Sequence, residues 1–206
     1  MLSPGSLFAS RFRIESLIGT GGMGAVYKAR DEVLGSQVAL KIIRSDLLSD
    51  VSDSEQAHQR FKQELLLARR VTHPNVVRIH DLGESQGTMF LTMELIEGVD
   101  LRTLLQSGRL SFARVISLGT QLAAGLHAAH QAGVVHRDLK PQNIVVSAGD
   151  KVFITDFGLA KLLESGDSAV TAMTRTGQLL GTPRYMAPEQ VTGGVVDHRT
   201  DIYASG

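Results

Sequence analysis

The apolar pattern of this chain changes period partway along, and a fold of one secondary-structure class does not accommodate that change. From Arg11 to Ile43 the pattern is strand-like: Phe12 and Ile14 alternate with polar neighbours, then come Ala25-Val26-Tyr27 and Val38-Ala39-Leu40-Lys41-Ile42-Ile43, separated by a Gly-rich turn and a turn containing Asp31-Glu32. Period-two runs bounded by such turns predict three antiparallel strands. Residues 53 to 71 switch to helical spacing, with Ala57, Phe61, Leu65 and Ala68 on one face, Glu64 on or beside it, and His73-Pro74 at the helix end. Two further strands are expected around Val76 to Leu82 and Met89 to Met93, after which Glu94-Leu95-Ile96-Glu97-Gly98 reads as a connector. The sequence therefore divides into residues 1–97, a five-stranded antiparallel half with one main helix, and residues 98–206, a mostly helical half. Ser111 is a suitable N-cap for a helix carrying Phe112, Val115, Ile116, Leu122, Ala123 and Leu126 as an amphipathic stripe, with Gly133 as its C-terminal stop. A short hairpin, Ile144 to Val146 and Val152 to Ile154, turns at Ser147-Ala148-Gly149-Asp150. The class is α+β.

Composition narrows the partners. Lys plus Arg and Asp plus Glu both total 21, so there is no net field to favour nucleic acid or an anionic membrane. The absence of cysteine removes disulfides and thiolate metal sites. No stretch approaches the roughly 18 uninterrupted apolar residues of a spanning helix, so no membrane segment is expected in this chain.

Gly19-Thr20-Gly21-Gly22-Met23-Gly24-Ala25-Val26 fits G-x-G-x-x-G-x-V, in which missing side chains let backbone N–H groups approach phosphate oxygens. A dinucleotide-binding turn would open a helix, whereas Ala25-Val26-Tyr27-Lys28 reads as a strand; a plain Gly-rich hairpin turn is the other reading of an isolated match. Lys41 shares a strand face with Ala39 and so points inward. An inward lysine needs an anion, because a buried unpaired charge costs several kcal/mol. Glu64, awkward on its own apolar stripe, supplies one; for a lone glutamate the commoner outcome is a solvated position at the edge of that stripe.

The strongest signal is His136-Arg137-Asp138-Leu139-Lys140-Pro141-Gln142-Asn143, followed after the hairpin by Asp156-Phe157-Gly158 and later by Ala187-Pro188-Glu189. The ordered set resembles the protein kinases over essentially the whole chain, and Gly-Gly-Met-Gly with Tyr185-Met186-Ala187-Pro188-Glu189-Gln190 is most similar to the bacterial eukaryotic-like serine/threonine branch. The resemblance implies a two-lobed kinase-like fold, ATP and Mg2+ as cofactors, and proteins with Ser or Thr as substrates. It implies Asp138 as catalytic base, Lys140 as stabiliser of the transferring phosphoryl group, Asn143 and Asp156 as magnesium ligands, and Lys41, oriented by Glu64, on the α and β phosphates. Ile18 and the residues from Gly19 to Gly24 would cover the phosphates. Val26 and Ala39 would cover the adenine, Met93 would be the gatekeeper, the backbone of Glu94 and Ile96 would bond the base, and Val145 would form the pocket floor. Lys140 and Gly181-Thr182 resemble the Ser/Thr rather than the tyrosine branch.

Ser168, Thr171, Thr174 and Thr176 occupy the activation-segment position, and Thr174 and Thr176 match the bacterial kinases' T-x-T autophosphorylation pair, whose phosphate would meet Arg137. His127 and His130 sit three apart on a helix, but no carboxylate or third ligand shares their face at a suitable spacing, so a metal role is rejected. The sequence ends at Asp201-Ile202-Tyr203-Ala204-Ser205-Gly206, which resembles the start of the family's long C-lobe helix; Asp201 is expected to hold the catalytic-loop backbone, and the arginine that pairs with Glu189 in the family is absent. If the missing helices cover on the order of 500 Å² of apolar surface, their loss costs about 12 kcal/mol, so the C-lobe is expected to be incomplete and weakly active or inactive. The expected function is a cytoplasmic Ser/Thr kinase that self-associates for trans-autophosphorylation, with any membrane anchor in missing sequence. The alternative is a truncated, non-catalytic ATP-binding or scaffold module.

Overall fold

In a computed structural model the protein is described at residues 1–22, 24–44, 63, 65–157 and 183–206. Met23, Glu64, Gly158, Gly181, Thr182, the helix residues Ala57 and Phe61, and the hydroxyl-rich Ser168, Thr171, Thr174 and Thr176 lie outside the described residues. The chain forms two compact units, Met1–His58 with Arg78–Leu95, and Gln59–Val77 with Ile96–Gly206.

The first unit is built on six strands: β1 (Leu7–Phe8), β2 (Phe12–Gly21), β3 (Gly24–Asp31), β4 (Ser36–Ile43), β5 (Ile79–Ser85) and β6 (Thr88–Met93). They form one antiparallel sheet in the order β1-β2-β3-β4-β6-β5. The sequence predicts five; the sixth, β1, is too short to display alternation. It folds back on β2 through Ala9 and Ser10, both at positive φ (50° and 54°), and its Phe8 ring meets Phe90 edge-on at 5.2 Å. One sheet face carries Phe12, Ile14, Tyr27, Ala29, Val38, Leu40 and Phe90 as a buried cluster. Each large member is worth about 1.5–3 kcal/mol in burial. At the β3–β4 turn the Asp31 carboxylate, only 2% exposed, accepts from Arg11 Nε at 3.0 Å and Nη2 at 2.6 Å and from the Val33 and Leu34 amides at 3.0 and 3.2 Å.

The second unit begins with a helical turn at 65–68, whose Leu65 and Ala68 are buried. Val76 and Val77 belong here and not to β5, which starts at Ile79 instead of the expected Val76. The cause is a polar anchor at Asn75: its Nδ2 donates to the Val152 carbonyl at 2.8 Å and to Gln121 Oε1 at 3.1 Å, its carbonyl accepts the Ile154 amide at 2.8 Å, and the Val77 amide donates to the Ile154 carbonyl at 2.9 Å. A three-stranded antiparallel sheet of β7 (Gly98–Asp100), β8 (Ile144–Ser147) and β9 (Lys151–Ile154) follows, with helices α1 (Leu101–Gln106), α2 (Phe112–Gln131), α3 (Pro188–Thr192) and α4 (His198–Ser205).

Helix α2 starts where the sequence places it, with Ser111 Oγ accepting the Arg114 amide at 3.3 Å. It ends in a Schellman arrangement: Gly133, at φ 75°, donates to the His130 carbonyl and Val134 to that of Ala129. Its expected apolar stripe needs correction. The buried positions are Leu118, Gly125, Leu126 and Ala129, on the side that packs against β9, whereas Phe112, Val115 and Ile116 are 81%, 50% and 52% exposed. With 3.6 residues per turn, Ile116 and Leu118 lie roughly 200° apart, so one sheet cannot cover both.

Candidate active site

The residues expected to serve a nucleotide on the first unit gather on one face of its sheet, opposite the Phe12 cluster. Cross-strand partners share a face, and the ladder pairs Val26 with Lys41, Lys41 with Leu91, and Ala39 with Met93. Ala39, Lys41 and Met93 are 6%, 5% and 7% exposed. At the end of this face β2 and β3 meet in the glycine hairpin, with Gly19 opposite Val26, Thr20 opposite Ala25 and Gly21 opposite Gly24. Ile18, 53% exposed, is the extra residue of the β-bulge that precedes it.

The glycines of the hairpin have different physical reasons. Gly24 has φ 142°, and a Cβ there would overlap the Ile42 carbonyl oxygen of β4, so the sheet itself requires it. Among the described residues a Cβ at Gly19 or Gly21 would meet nothing within 4 Å, and neither has a positive φ, so neither packing against those residues nor backbone conformation requires their bareness. Glu94 donates its N–H to the Arg78 carbonyl at 3.0 Å.

On the second unit the catalytic-loop residues lie between Val134 and β8. Asp138 Oδ2 accepts from Lys140 Nζ at 2.6 Å and from Asn143 Nδ2 at 3.3 Å, while Asn143 Nδ2 also donates to the Asp138 carbonyl at 2.8 Å. The Asp138 and Lys140 side chains keep 26% and 21% of their exposure, enough for a reactant to reach them, whereas Asn143 is 7% exposed. The Asn143 carbonyl accepts the Thr155 amide at 2.9 Å, tying the loop to the segment that presents Asp156. Arg137 and Asp156 both stand at positive φ, 67° and 64°, in the left-handed region that a side chain disfavours. Such strain persists where surrounding bonds fix it.

Those bonds are visible. His136, fully buried, accepts the Asp138 amide on Nδ1 at 3.3 Å, so its proton sits on Nε2, which donates to the Thr155 carbonyl at 2.8 Å; its ring lies 4.7 Å from that of Phe157. Asp201, also fully buried, accepts the His136 amide on Oδ2 and the Arg137 amide on Oδ1, each at 2.8 Å. His130 Nε2 shares Oδ2 at 2.7 Å, a partner the sequence reading passed over when it weighed this histidine only as a metal ligand. Glu189, expected to pair with an arginine, and Gln190, read only as part of its motif, have partners the sequence did not indicate. Glu189 accepts the Thr200 hydroxyl at 2.6 Å, a bond that holds its carboxyl below the usual range, and Gln190 bonds the catalytic loop. Both are partly buried polar residues in or directly after the Ala187-Pro188-Glu189 segment, but which partner such a residue finds is not readable from residue type.

Val145 sits in the middle of the second sheet, paired with Asp100 and Phe153. The two halves of the expected residue set thus lie on different units, with Gly19 to Gly22, Gly24, Val26, Ala39, Lys41, Met93 and Glu94 on the first and Ile96, Asp138, Lys140, Asn143, Val145 and Asp156 on the second. Met23 and Glu64 lie outside the described residues.

The protein kinase domain family matches residues 12–206. Among curated relatives, the serine/threonine-protein kinase pkn3 of Myxococcus xanthus is 43% identical over 98% of this chain and 37% of its own length. Pkn2 of the same organism is 42% identical over 100% of this chain and 25% of its own length, and PknD of Mycobacterium tuberculosis is 43% identical over 94% and 28%. The chain thus spans between a quarter and just under half of the length of the curated relatives it matches. The crystal structure of the Mycobacterium tuberculosis PknI kinase domain superposes with a TM-score of 0.78 at 27% identity, covering 100% of this chain and 72% of that one. The α+β kinase fold read from the sequence is the fold of these neighbours, with one additional short strand. By that match across nearly its whole length, the chain belongs to the protein kinase domain family, among the bacterial eukaryotic-like kinases.

Proposed function

We propose that the chain transfers the γ-phosphate of ATP to Ser and Thr hydroxyls of proteins. One observation carries the reading: Asp138, partly exposed, is held by Lys140 at 2.6 Å and by Asn143 at 2.8 and 3.3 Å on a loop whose backbone is pinned by Asp201. Phosphoryl transfer asks for positioning and charge neutralisation more than for covalent chemistry. Asp138 would orient an acceptor hydroxyl and take its proton. Lys140, already beside Asp138, carries the positive charge that the transferring group needs.

Asn143 turns its Nδ2 to Asp138, so its carboxamide oxygen would be the atom that meets a hard cation, and with the Asp156 carboxylate it would supply an all-oxygen donor pair. No group of three His, Cys, Asp or Glu side chains suited to a metal occurs among the described residues, so the protein would supply part of a shell completed by a nucleotide and water. Magnesium bound there supplies neutralisation of phosphate charge. Gly19 and Gly21, whose bareness neither the packing nor the backbone requires, would let amides approach phosphates, and Lys41 would hold the α and β phosphates, with Glu64 as its partner. Val26, Ala39, Met93 and Val145 would contact the base, and the Glu94 carbonyl and Ile96 amide would bond its edge. Ser/Thr preference rests on Lys140 and on the named activities of the relatives.

The reading includes a cytoplasmic site of action, self-association for trans-autophosphorylation, and Thr174 and Thr176 as phosphate acceptors. Among the described residues no helix is long and apolar enough to cross a membrane. The test is transfer of radiolabelled γ-phosphate to the chain and to a generic Ser/Thr substrate, with Asp138→Asn as control. Label lost in the control supports the kinase reading. Folded protein that binds ATP but transfers no label removes it, in favour of a binding or scaffold module.

A further inference from the structure

The peptide unit between Arg137 and Asp138 is gripped at both ends. Its nitrogen donates to His136 Nδ1 at 3.3 Å, and its oxygen accepts from Gln190 Nε2 at 2.7 Å. The preceding amide of Arg137 is fixed by Asp201 at 2.8 Å. Arg137 is held at φ 67° between them, a conformation that a residue with a side chain disfavours and that persists only when its surroundings over-determine it. Of the three side chains that fix it, Gln190 is the one that comes from helix α3.

The other end of the same carboxamide is also committed. Gln190 Oε1 accepts the amide of Ala187 at 3.1 Å, and the Gln190 amide returns a bond to the Ala187 carbonyl at 3.0 Å. Ala187 is fully buried. Only a carboxamide, one end donor and the other acceptor, satisfies a carbonyl and an amide in this way. A glutamate would lose the donor and a lysine the acceptor. Tyr185 and Met186, immediately before Ala187, line a small cleft together with Asp138, Lys140 and Gln190. The carboxamide therefore fixes the wall of that cleft and the backbone of the catalytic base against each other, while Glu189 on the same helix is bonded to Thr200 of α4 at 2.6 Å and Asp201 of α4 returns to the catalytic loop. Three elements close into a ring of side-chain bonds, and Gln190 is its link between α3 and the base.

We infer that Gln190 is a positioning residue for phosphoryl transfer: it sets the orientation of Asp138 relative to the Tyr185–Met186 wall along which an acceptor peptide would lie. The inference rests on the kinase reading of the site. Its role is on the acceptor side, so its loss acts on kcat and on the KM for the protein substrate and leaves the KM for ATP unchanged.

The test compares Gln190→Glu and Gln190→Leu with the parent chain by steady-state kinetics across pH and by hydrogen exchange of the amides at 136–139. Misplacement of the base lowers kcat by roughly 10- to 100-fold in both variants. In Gln190→Glu the deficit relative to the parent shrinks as pH falls, because the carboxyl regains a proton to donate to the Arg137 carbonyl; in Gln190→Leu it does not. Exchange at 136–139 accelerates in both. Parent-like kcat and exchange protection in Gln190→Glu would overturn the inference, as would a deficit that is flat with pH. If Gln190→Leu fails to fold, the near-isosteric Gln190→Glu still decides. A folded, ATP-binding parent chain that transfers no phosphate defeats the kinase reading instead, and exchange alone then reports on the clamp.

Discussion

His130 Nε2 lies 2.7 Å from Oδ2 of Asp201, the same oxygen that receives the His136 amide at 2.8 Å, and Asp201 is fully buried. The carboxylate thus closes α2, the catalytic loop and α4 on one point. Asp201→Ala leaves the His136 and Arg137 amides and His130 without their acceptor, and each buried donor left unsatisfied costs about 1–3 kcal/mol. His130→Ala leaves both amides bonded, so its cost is nearer the roughly 1 kcal/mol of a single hydrogen bond. Urea denaturation of the two variants checks the order, and equal losses would mean that the amide bonds contribute little.

Glycine substitutions in the hairpin separate fold from site. Gly24→Ala meets both a φ of 142° and the Ile42 carbonyl. It should destabilise by about 2 kcal/mol or more, read as a lowered urea midpoint. Gly19→Ala and Gly21→Ala meet open space and should stay within about 1 kcal/mol of the parent. Their effect belongs in a nucleotide titration, as weakened ATP binding. Unchanged ATP affinity in both would remove these glycines from the phosphate site.

Asp31 carries a pH dependence of stability. Its hydrogen bond from Arg11 holds the carboxyl below its ordinary value, helped by the Leu34 and Val33 amides and against the opposing effect of burial. A folded-state pKa below the unfolded one, which is about 3.9 for Asp, gives stability that is present above that value and lost as pH falls through the lower one. The stability gap between the parent and Asp31→Asn should therefore be constant near neutrality and narrow below about pH 4. Urea midpoints measured from neutral to acid pH test this, and a gap that widened on acidification would reverse the sign.

Much of the arrangement was legible from the residues because period and motif spacing are local. The alternation through Val38 to Ile43 fixed which face Lys41 and Ala39 share, and the ladder adds that Val26 and Met93 lie beside them. Ser111 and Gly133 marked the ends of α2 because capping is a property of one or two residues. What was not legible depended on tertiary choice. Apolar residues on two sides of α2 gave no means of knowing that β9 covers Leu118 and Leu126 and not Phe112 and Ile116. Asn75 shows no sign in its own neighbourhood that it will bond Gln121 and Val152 and draw residues 76–77 into the second unit. The same holds for Gln190, whose donor and acceptor find Arg137 and Ala187 only after the chain has folded.

Asn143 has two jobs that one pair of substitutions separates. Its Nδ2 holds Asp138 at 2.8 and 3.3 Å, and its oxygen is the atom proposed to bind magnesium. Asn143→Asp keeps an oxygen ligand but replaces the donor to Asp138 with a like charge. Asn143→Ala loses both functions. The half-saturating magnesium concentration should therefore rise in Asn143→Ala and stay near the parent value in Asn143→Asp, while kcat falls in both by roughly 10-fold or more as the base loses its orientation. Magnesium titrations of initial rate at saturating ATP make the comparison. A parent-like magnesium requirement in Asn143→Ala would remove the residue from the metal site, and a parent-like kcat in Asn143→Asp would mean that Lys140 alone suffices to hold Asp138.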